Sequence, residues 1–228
     1  MIFNLADILE SHTDAFPNRL AVVSGQTRLS YGALDSRATK LANHWRAQGI
    51  KAGDHIGLYL YNRHEYLECM YAGWKLRACT INVNYRYVAE ELRYIFDNAD
   101  LKGLIYEEEL QSIVDEAITP TIEMKMCPGE GYEEALAKAS AERDFGARSA
   151  DDQVIIYTGG TTGMPRGVMW RQEDLFFAAL QGGNPGGVPF KDPDAITPQI
   201  TENGDGLHIP PAPPLIHGNA QLASWIAL

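Results

Sequence analysis

Through the first hundred residues the apolar positions keep changing their period. Leu34, Ala38, Leu41, Ala42 and Trp45 recur at helical spacing, which predicts a helix over 31–48. Ser30 stands where its N-cap belongs and Gly49 where a C-terminal glycine belongs. After the Gly53-Asp54 turn, Ile56, Leu58 and Leu60 alternate, and 55–61 is expected as a strand. Asn62 with Glu65 three residues on has the form of a capping box, opening a helix that reaches about residue 77. A strand at 78–83, a helix at 89–98 with Leu92, Ile95 and Phe96 inward, and a strand at 101–106 follow. Strands spaced by amphipathic helices predict an α/β fold, with a largely parallel sheet flanked by helices.

Beyond residue 106 the rhythm loosens. Residues 107–150 read as acidic, helical in part and looped in part, broken by Gly129 and Gly131. Val154 to Tyr157 is strand-like and 171–181 helix-like. Eight of the twelve prolines fall between Pro185 and Pro214, so a long loop is expected there, functional or mobile. Residues 220–228 form an apolar, helix-like run with no stop signal. It reads as a chain cut inside a larger domain, with an apolar end that is exposed unless something covers it.

Composition excludes several classes. With 228 residues, 45% hydrophobic and 21% charged, the chain has material for a sizeable core and too little charge for disorder. The longest wholly apolar run, 175–180, is too short to span a bilayer, and the first seven residues lack the basic start of a signal peptide. Cys69, Cys79 and Cys127 are odd in number and widely spaced, suggesting neither a disulfide framework nor a metal site, and a reducing cytoplasm. The formal net charge is −11, and residues 103–152 alone carry thirteen acids against four bases. Nucleic acid, which needs a basic face, is therefore not an expected partner, and the acidic stretch reads as a solvated face.

The candidate chemistry lies in Tyr157-Thr158-Gly159-Gly160-Thr161-Thr162-Gly163-Met164-Pro165-Arg166-Gly167-Val168. Glycines let a backbone approach a ligand, successive N–H groups make an anion-binding hollow, and three threonine hydroxyls add donors. Arg166 adds a permanent cation whose fork suits phosphate oxygens. The spacing fails the G-x-x-x-x-G-K-[ST] loop, because Met164 and Pro165 stand where its Gly-Lys should be. It fails the dinucleotide loop too, because Pro165 and the apolar Val168-Met169-Trp170 predict a second strand rather than a helix. A glycine- and threonine-rich hairpin that holds no ligand remains the alternative at this point.

This loop resembles the phosphate-binding signature of the adenylate-forming, AMP-binding enzymes, with Gly159 in place of the more frequent Ser and Arg166 in place of the usual Lys. Further collinear stretches resemble the same family, among them Leu29 to Leu34, Gly53 to Ile56, Asn82 to Asn84, Glu91 to Tyr94 and Pro213 to Ala220. Residues 167–175 look closest to actinobacterial ligases for fatty acids and steroid side chains. The resemblance implies the N-terminal domain of an acyl-CoA synthetase-like fold, incomplete here. Residues 1–150 would form its first subdomain and 151–228 the truncated start of its second. It implies that ATP activates a carboxylic acid to acyl-AMP, which coenzyme A converts to a thioester. Thr158, Gly159, Gly160, Thr161, Thr162, Gly163 and Arg166 would hold the phosphates with Mg²⁺, Arg166 acting catalytically, and His217 would line the acyl pocket. The family's adenine, ribose, magnesium and lysine motifs are expected beyond residue 228, so the chain alone is expected to be inactive. A second expectation is a truncated nucleotide-binding or interaction module, self-associating through its C-terminal helix.

Overall fold

The computed structural model describes residues 2–159, 163–202 and 209–228. Its centre is a four-stranded sheet in the order β4-β3-β5-β6, built from β3 (His55–Tyr59), β4 (Cys79–Asn82), β5 (Leu101–Tyr106) and β6 (Met124–Met126). All three pairings are parallel. Ile56, Leu58 and Tyr59 on β3 and Leu101, Leu104 and Ile105 on β5 are wholly buried, as strands covered on both faces must be. The connections are helices α2 (Tyr31–Ala47), α3 (His64–Leu76), α4 (Ala89–Asn98) and α5 (Gln111–Ala117). The periodic residues expected on α2 face inward, Leu34 at 1% exposure and Ala38, Leu41, Ala42 and Trp45 at 0%. Ser30 caps it, its hydroxyl accepting from the Ala33 amide at 3.2 Å. Two antiparallel hairpins complete the strands, β1 (Leu20–Ser24) with β2 (Thr27–Ser30), and β7 (Gln153–Thr158) with β8 (Arg166–Arg171).

Several expectations are corrected. Asn62 does not cap α3. Arg63 stands at the N-cap and its side chain makes no capping bond, and the Asn62 Oδ1 accepts instead from the Leu215 amide, 2.8 Å away. Within 107–150, expected as helix and loop, β6 is a strand, while residues 139–150, after α6 (Glu130–Lys138), hold neither helix nor strand, as the looped part of that expectation had it. The acidic stretch is not simply solvated either. Glu107 and Asp152 are buried, the first taking Arg63 at 2.7 Å and the second Arg77 at 2.9 Å. Past α7 (Gln172–Ala178), the proline-rich region contains a further helix, α8 (Ile196–Glu202), so it is not loop throughout. The N-terminal helix α1 (Leu5–Ala15) and the β1–β2 hairpin had no expectation attached to them.

The 139–150 segment is fastened by charge. Arg148 pairs with Asp7 and with Glu10 at 2.9 Å, and Arg143 reaches Asp14 at 2.8 Å and Asp35 at 3.0 Å. Beneath them Lys75, with no exposed surface, contacts Glu10 at 2.5 Å and Asp35 at 2.7 Å. Burial alone would raise the Asp35 carboxyl, but Lys75, Tyr71 and Arg143 together hold it below its usual range. A buried cation tolerates such a place only with partners of this quality.

The C-terminal helix α9 (Gly218–Ala227) is not left exposed. Ala220, Gln221, Ser224 and Trp225 are buried, and the Trp225 ring meets Trp74 edge-on at 5.2 Å. This removes the premise on which self-association through that helix rested.

Candidate functional site

The loop of interest sits at the tip of the β7–β8 hairpin. The register runs from Gln153 opposite Arg171 to Thr158 opposite Arg166, so the two strands are linked through residues 159–165 of the sequence. The second strand expected after Pro165 is therefore present. Thr158 and Gly159 are exposed at the end of β7, and Gly163 lies at φ +132°, a conformation that favours glycine. Gly160, Thr161 and Thr162 lie outside the described residues. Pro165 is buried, and its carbonyl accepts from the Tyr94 hydroxyl at 3.1 Å. Arg166, the first residue of β8, is exposed, and no ion pair joins it to another described residue.

Glycine at 167 has a steric reason. A Cβ there would stand 2.8 Å from the Tyr157 ring across the hairpin. The Tyr157 hydroxyl is thereby free to donate to Asn98 Oδ1 at 2.8 Å, tying the hairpin to α4. Tyr87 lies beside the loop. Its hydroxyl is 3.9 Å from where a side chain at Gly159 would begin, and its carbonyl accepts from the buried Tyr59 at 3.0 Å.

His217 is exposed and stands at the N-cap of α9. Its amide closes a turn onto the Pro214 carbonyl at 2.9 Å. The next residue, Gly218, rests against β7, where a Cβ would lie 3.1 Å from Ile156 Cγ2. The His217 loop and the hairpin therefore meet at the C-terminal end of β7. Three side chains fix this arrangement. Asn62 takes the Leu215 amide, Gln221 donates to the Leu215 carbonyl at 2.8 Å, and Asn82 reaches both loops. Asn82 entered the sequence reading only as part of a matching stretch. Its sole signal was a polar residue closing an otherwise apolar strand. The Tyr94 bond had no sequence signal at all.

A separate cleft of about 1050 Å³ lies between α1, α7, α8 and α9. Leu9, Trp74, Phe176, Leu180, Trp225 and Leu228 are among its walls, while Thr158, Arg166 and His217 are not. Among the described residues no group of three or more His, Cys, Asp or Glu side chains is placed to hold a metal ion, and no helix is long and apolar enough to cross a membrane.

Comparison with known proteins now adds what geometry cannot. The chain is 43% identical, over its whole length, to a 3-oxocholest-4-en-26-oate–CoA ligase of Rhodococcus rhodochrous, covering 44% of that protein. It is 40% identical to a medium/long-chain-fatty-acid–CoA/3-oxocholest-4-en-26-oate–CoA ligase of Mycolicibacterium smegmatis, again covering 44% of it. The chain thus spans less than half the length of these curated relatives. Among solved structures, the inhibitor-bound N-terminal domain of FACL13 from Mycobacterium tuberculosis superposes with a TM-score of 0.77 at 23% identity, over 98% of this chain and 54% of that one. That likeness supports the fold. ATP-bound MatB from Rhodopseudomonas palustris superposes with a TM-score of 0.71 at 27% identity, over 79% of this chain and 37% of that one. The family described as AMP-binding enzyme matches residues 9–197, and this chain belongs to it.

Proposed function

We propose that this chain carries the phosphate-holding part of an ATP-dependent site that activates an apolar carboxylic acid, a fatty acid or a steroid side chain, to acyl-AMP and then acyl-CoA. The observation that carries the reading is the β7–β8 turn. It is a glycine- and threonine-rich tip with Gly163 at positive φ and the Arg166 guanidinium exposed beside it, in a chain that belongs to the AMP-binding enzymes. Substrate class follows from the relatives, whose names give fatty and cholestenoic acids.

In the first half-reaction a substrate carboxylate oxygen bonds to the α-phosphorus of ATP, and the bond from that phosphorus to the pyrophosphate oxygen breaks. The backbone amides and hydroxyls of 158–163 hold the departing β- and γ-oxygens, and Arg166 balances the charge that grows on them. An arginine there offers a flat two-pronged donor where lysine offers a point charge. His217, at the neighbouring loop, faces the acyl group. In the second half-reaction the thiol of coenzyme A displaces AMP. Magnesium, implied by the resemblance, finds no carboxylate cluster among the described residues, and no step here runs through it. The cysteines are unpaired thiols, which suits a reducing cytosol.

The chain spans 44% of its relatives' length, and the proposal gives it the phosphate-holding role and the His217 contact rather than the whole reaction. Calorimetric titration with ATP and Mg²⁺ should give a saturable signal, weakened at least tenfold by Arg166→Ala and by Thr161→Ala. Carboxylate-dependent pyrophosphate release by the 228-residue chain should stay at background. Heats unaffected by both substitutions would sink the reading, and brisk turnover would overturn the part-site expectation while leaving the chemistry standing.

A further inference from the structure

We propose that Asn82 is a positioning residue, setting the phosphate-loop hairpin and the His217 loop in register with each other through one buried carboxamide. The inference deepens the proposed function and rests on it for the identity of the ligand.

The need for such a residue follows from the topology. β7 runs beside β4, but the backbone ladder of the four-stranded sheet ends at β4, and among the described residues β7 pairs only with β8. A gap in the ladder would strand peptide groups, which must find partners when buried. Along this seam the bonds come from β4 side chains. The Cys79 thiol donates to the Gln153 carbonyl at 3.3 Å, and further along Asn82 meets Tyr157. The Asn82 Oδ1 accepts from the Tyr157 amide at 2.7 Å, and its Nδ2 donates to the Tyr157 carbonyl at 2.8 Å. The side-chain amide thus does for Tyr157 what a neighbouring strand's peptide would do. The second Nδ2 hydrogen goes to the Ile216 carbonyl at 2.7 Å. An asparagine has two donors and one carbonyl acceptor, and all are used. The orientation of the amide is fixed, because only its oxygen can meet an N–H and only its nitrogen can meet two carbonyls.

Tyr157 immediately precedes Thr158, and Ile216 immediately precedes His217. One side chain, only 7% exposed, therefore holds the residue next to each candidate ligand contact. Asn62 and Gln221 also support the second loop, but there they bond the amide and carbonyl of Leu215, and among the described residues neither reaches the hairpin. A leucine of similar volume at 82 could fill the space but make none of the three bonds. An aspartate could keep the acceptor for the Tyr157 amide and lose both donors.

The test compares the parent chain with Asn82→Leu and Asn82→Asp, by amide hydrogen exchange and by calorimetry with ATP and Mg²⁺. In Asn82→Leu, exchange at the Tyr157 and His217 amides should each rise about tenfold or more, the scale of one lost hydrogen bond, while the Ile56 and Leu58 amides of β3 hold steady. In Asn82→Asp the His217 amide should be released and the Tyr157 amide largely retained. A general loss of stability would speed all these amides together, so the asymmetry is the signature of positioning. ATP affinity should fall about tenfold in Asn82→Leu. If that variant does not fold, the Asn82→Asp asymmetry decides alone. Exchange that rises only in step with β3, a response at one loop but not the other in Asn82→Leu, or unchanged ATP affinity despite both loops loosening, would overturn the proposal. If the parent itself binds no ATP, the functional reading fails, and the exchange pattern still decides the role of Asn82.

Discussion

His12 shows how one buried side chain can write a pH dependence into the molecule. It lies on α1, 4% exposed, with its ring stacked on Phe16 at 5.7 Å. Burial, with Arg19 adding to it, pulls its pKa from 6.5 down to about 4, against the hydrogen bond it shares with the Leu228 carbonyl. The unfolded imidazole takes up a proton that the folded one refuses. The associated stability is therefore complete above pH 6.5 and drains away as the pH falls toward 4. Between pH 7 and pH 5 the loss should be about 2 kcal/mol. His64 works in the opposite sense, because its hydrogen bond to Glu68 raises its pKa. Its contribution is present at low pH and lost on the alkaline side, so the parent must be compared with a His12→Gln variant. Urea unfolding at the two pH values should show the variant losing about 2 kcal/mol less than the parent. Equal losses would mean that His12 is not held neutral. At this scale the sequence was least readable. Asn62 looked like a helix cap and is spent on Leu215, and Asn82 stood within an expected strand with no role of its own and is a bridge. A side-chain amide carries no sign of which distant backbone it will meet.

Elements were far more legible, because their cause is local. Periodicity marked α2, α4, β3 and β5, and the pause at Pro165 marked β8. α1 and the β1–β2 hairpin escaped notice. Val23 and Leu20 of the hairpin are exposed, so it lacks a clean inside–outside alternation. Two glycines show how the same substitution changes sign with its element. Gly57 sits on β3, in the interior of the sheet, where a Cβ would stand 2.7 Å from Leu101 Cδ1 and 3.0 Å from Leu104 Cδ1. Both leucines are wholly buried, so neither has room to retreat. Gly57→Ala should cost about 1–3 kcal/mol through overpacking. Gly131 lies in α6 with nothing within 4 Å of its would-be Cβ. Gly131→Ala should stabilise by about 0.5–1 kcal/mol, because alanine loses less freedom on entering a helix. Thermal melts of the two variants should move in opposite directions, and a shift of the same sign would refute the packing account.

At the scale of the whole molecule, the sequence divided the chain near residue 150 into two subdomains, and the packing argues that these unfold as one. β7 is the hinge of that argument. Its Val154 and Ile156 enter the core built on α1, α2 and α3, while Ile155 enters the core built on α4 and β5. The first core also takes Phe176, Leu215 and Trp225 from beyond the boundary. Polar ties cross it as well. Asp152 bonds to Asn4 and Arg77, and the Gln172 side chain accepts from the Leu5 amide at 2.8 Å. Removing residues 151–228 from this arrangement would strip apolar cover from α1 and α3 and take the Asp152 carboxylate away from both Arg77 and Asn4, a cost no boundary between independent units should carry. Trp45, wholly buried on α2, and Trp170, half-buried on β8, lie on opposite sides of the division. Two variants, each keeping one of these tryptophans and replacing the other three by phenylalanine, should show the same urea midpoint by fluorescence, coincident with far-ultraviolet circular dichroism. Midpoints that separate, with Trp170 reporting first, would mean that β7 and β8 detach from a first unit able to stand without them. A shared midpoint would mean that the strand leading to the candidate phosphate loop is anchored in both hydrophobic cores at once.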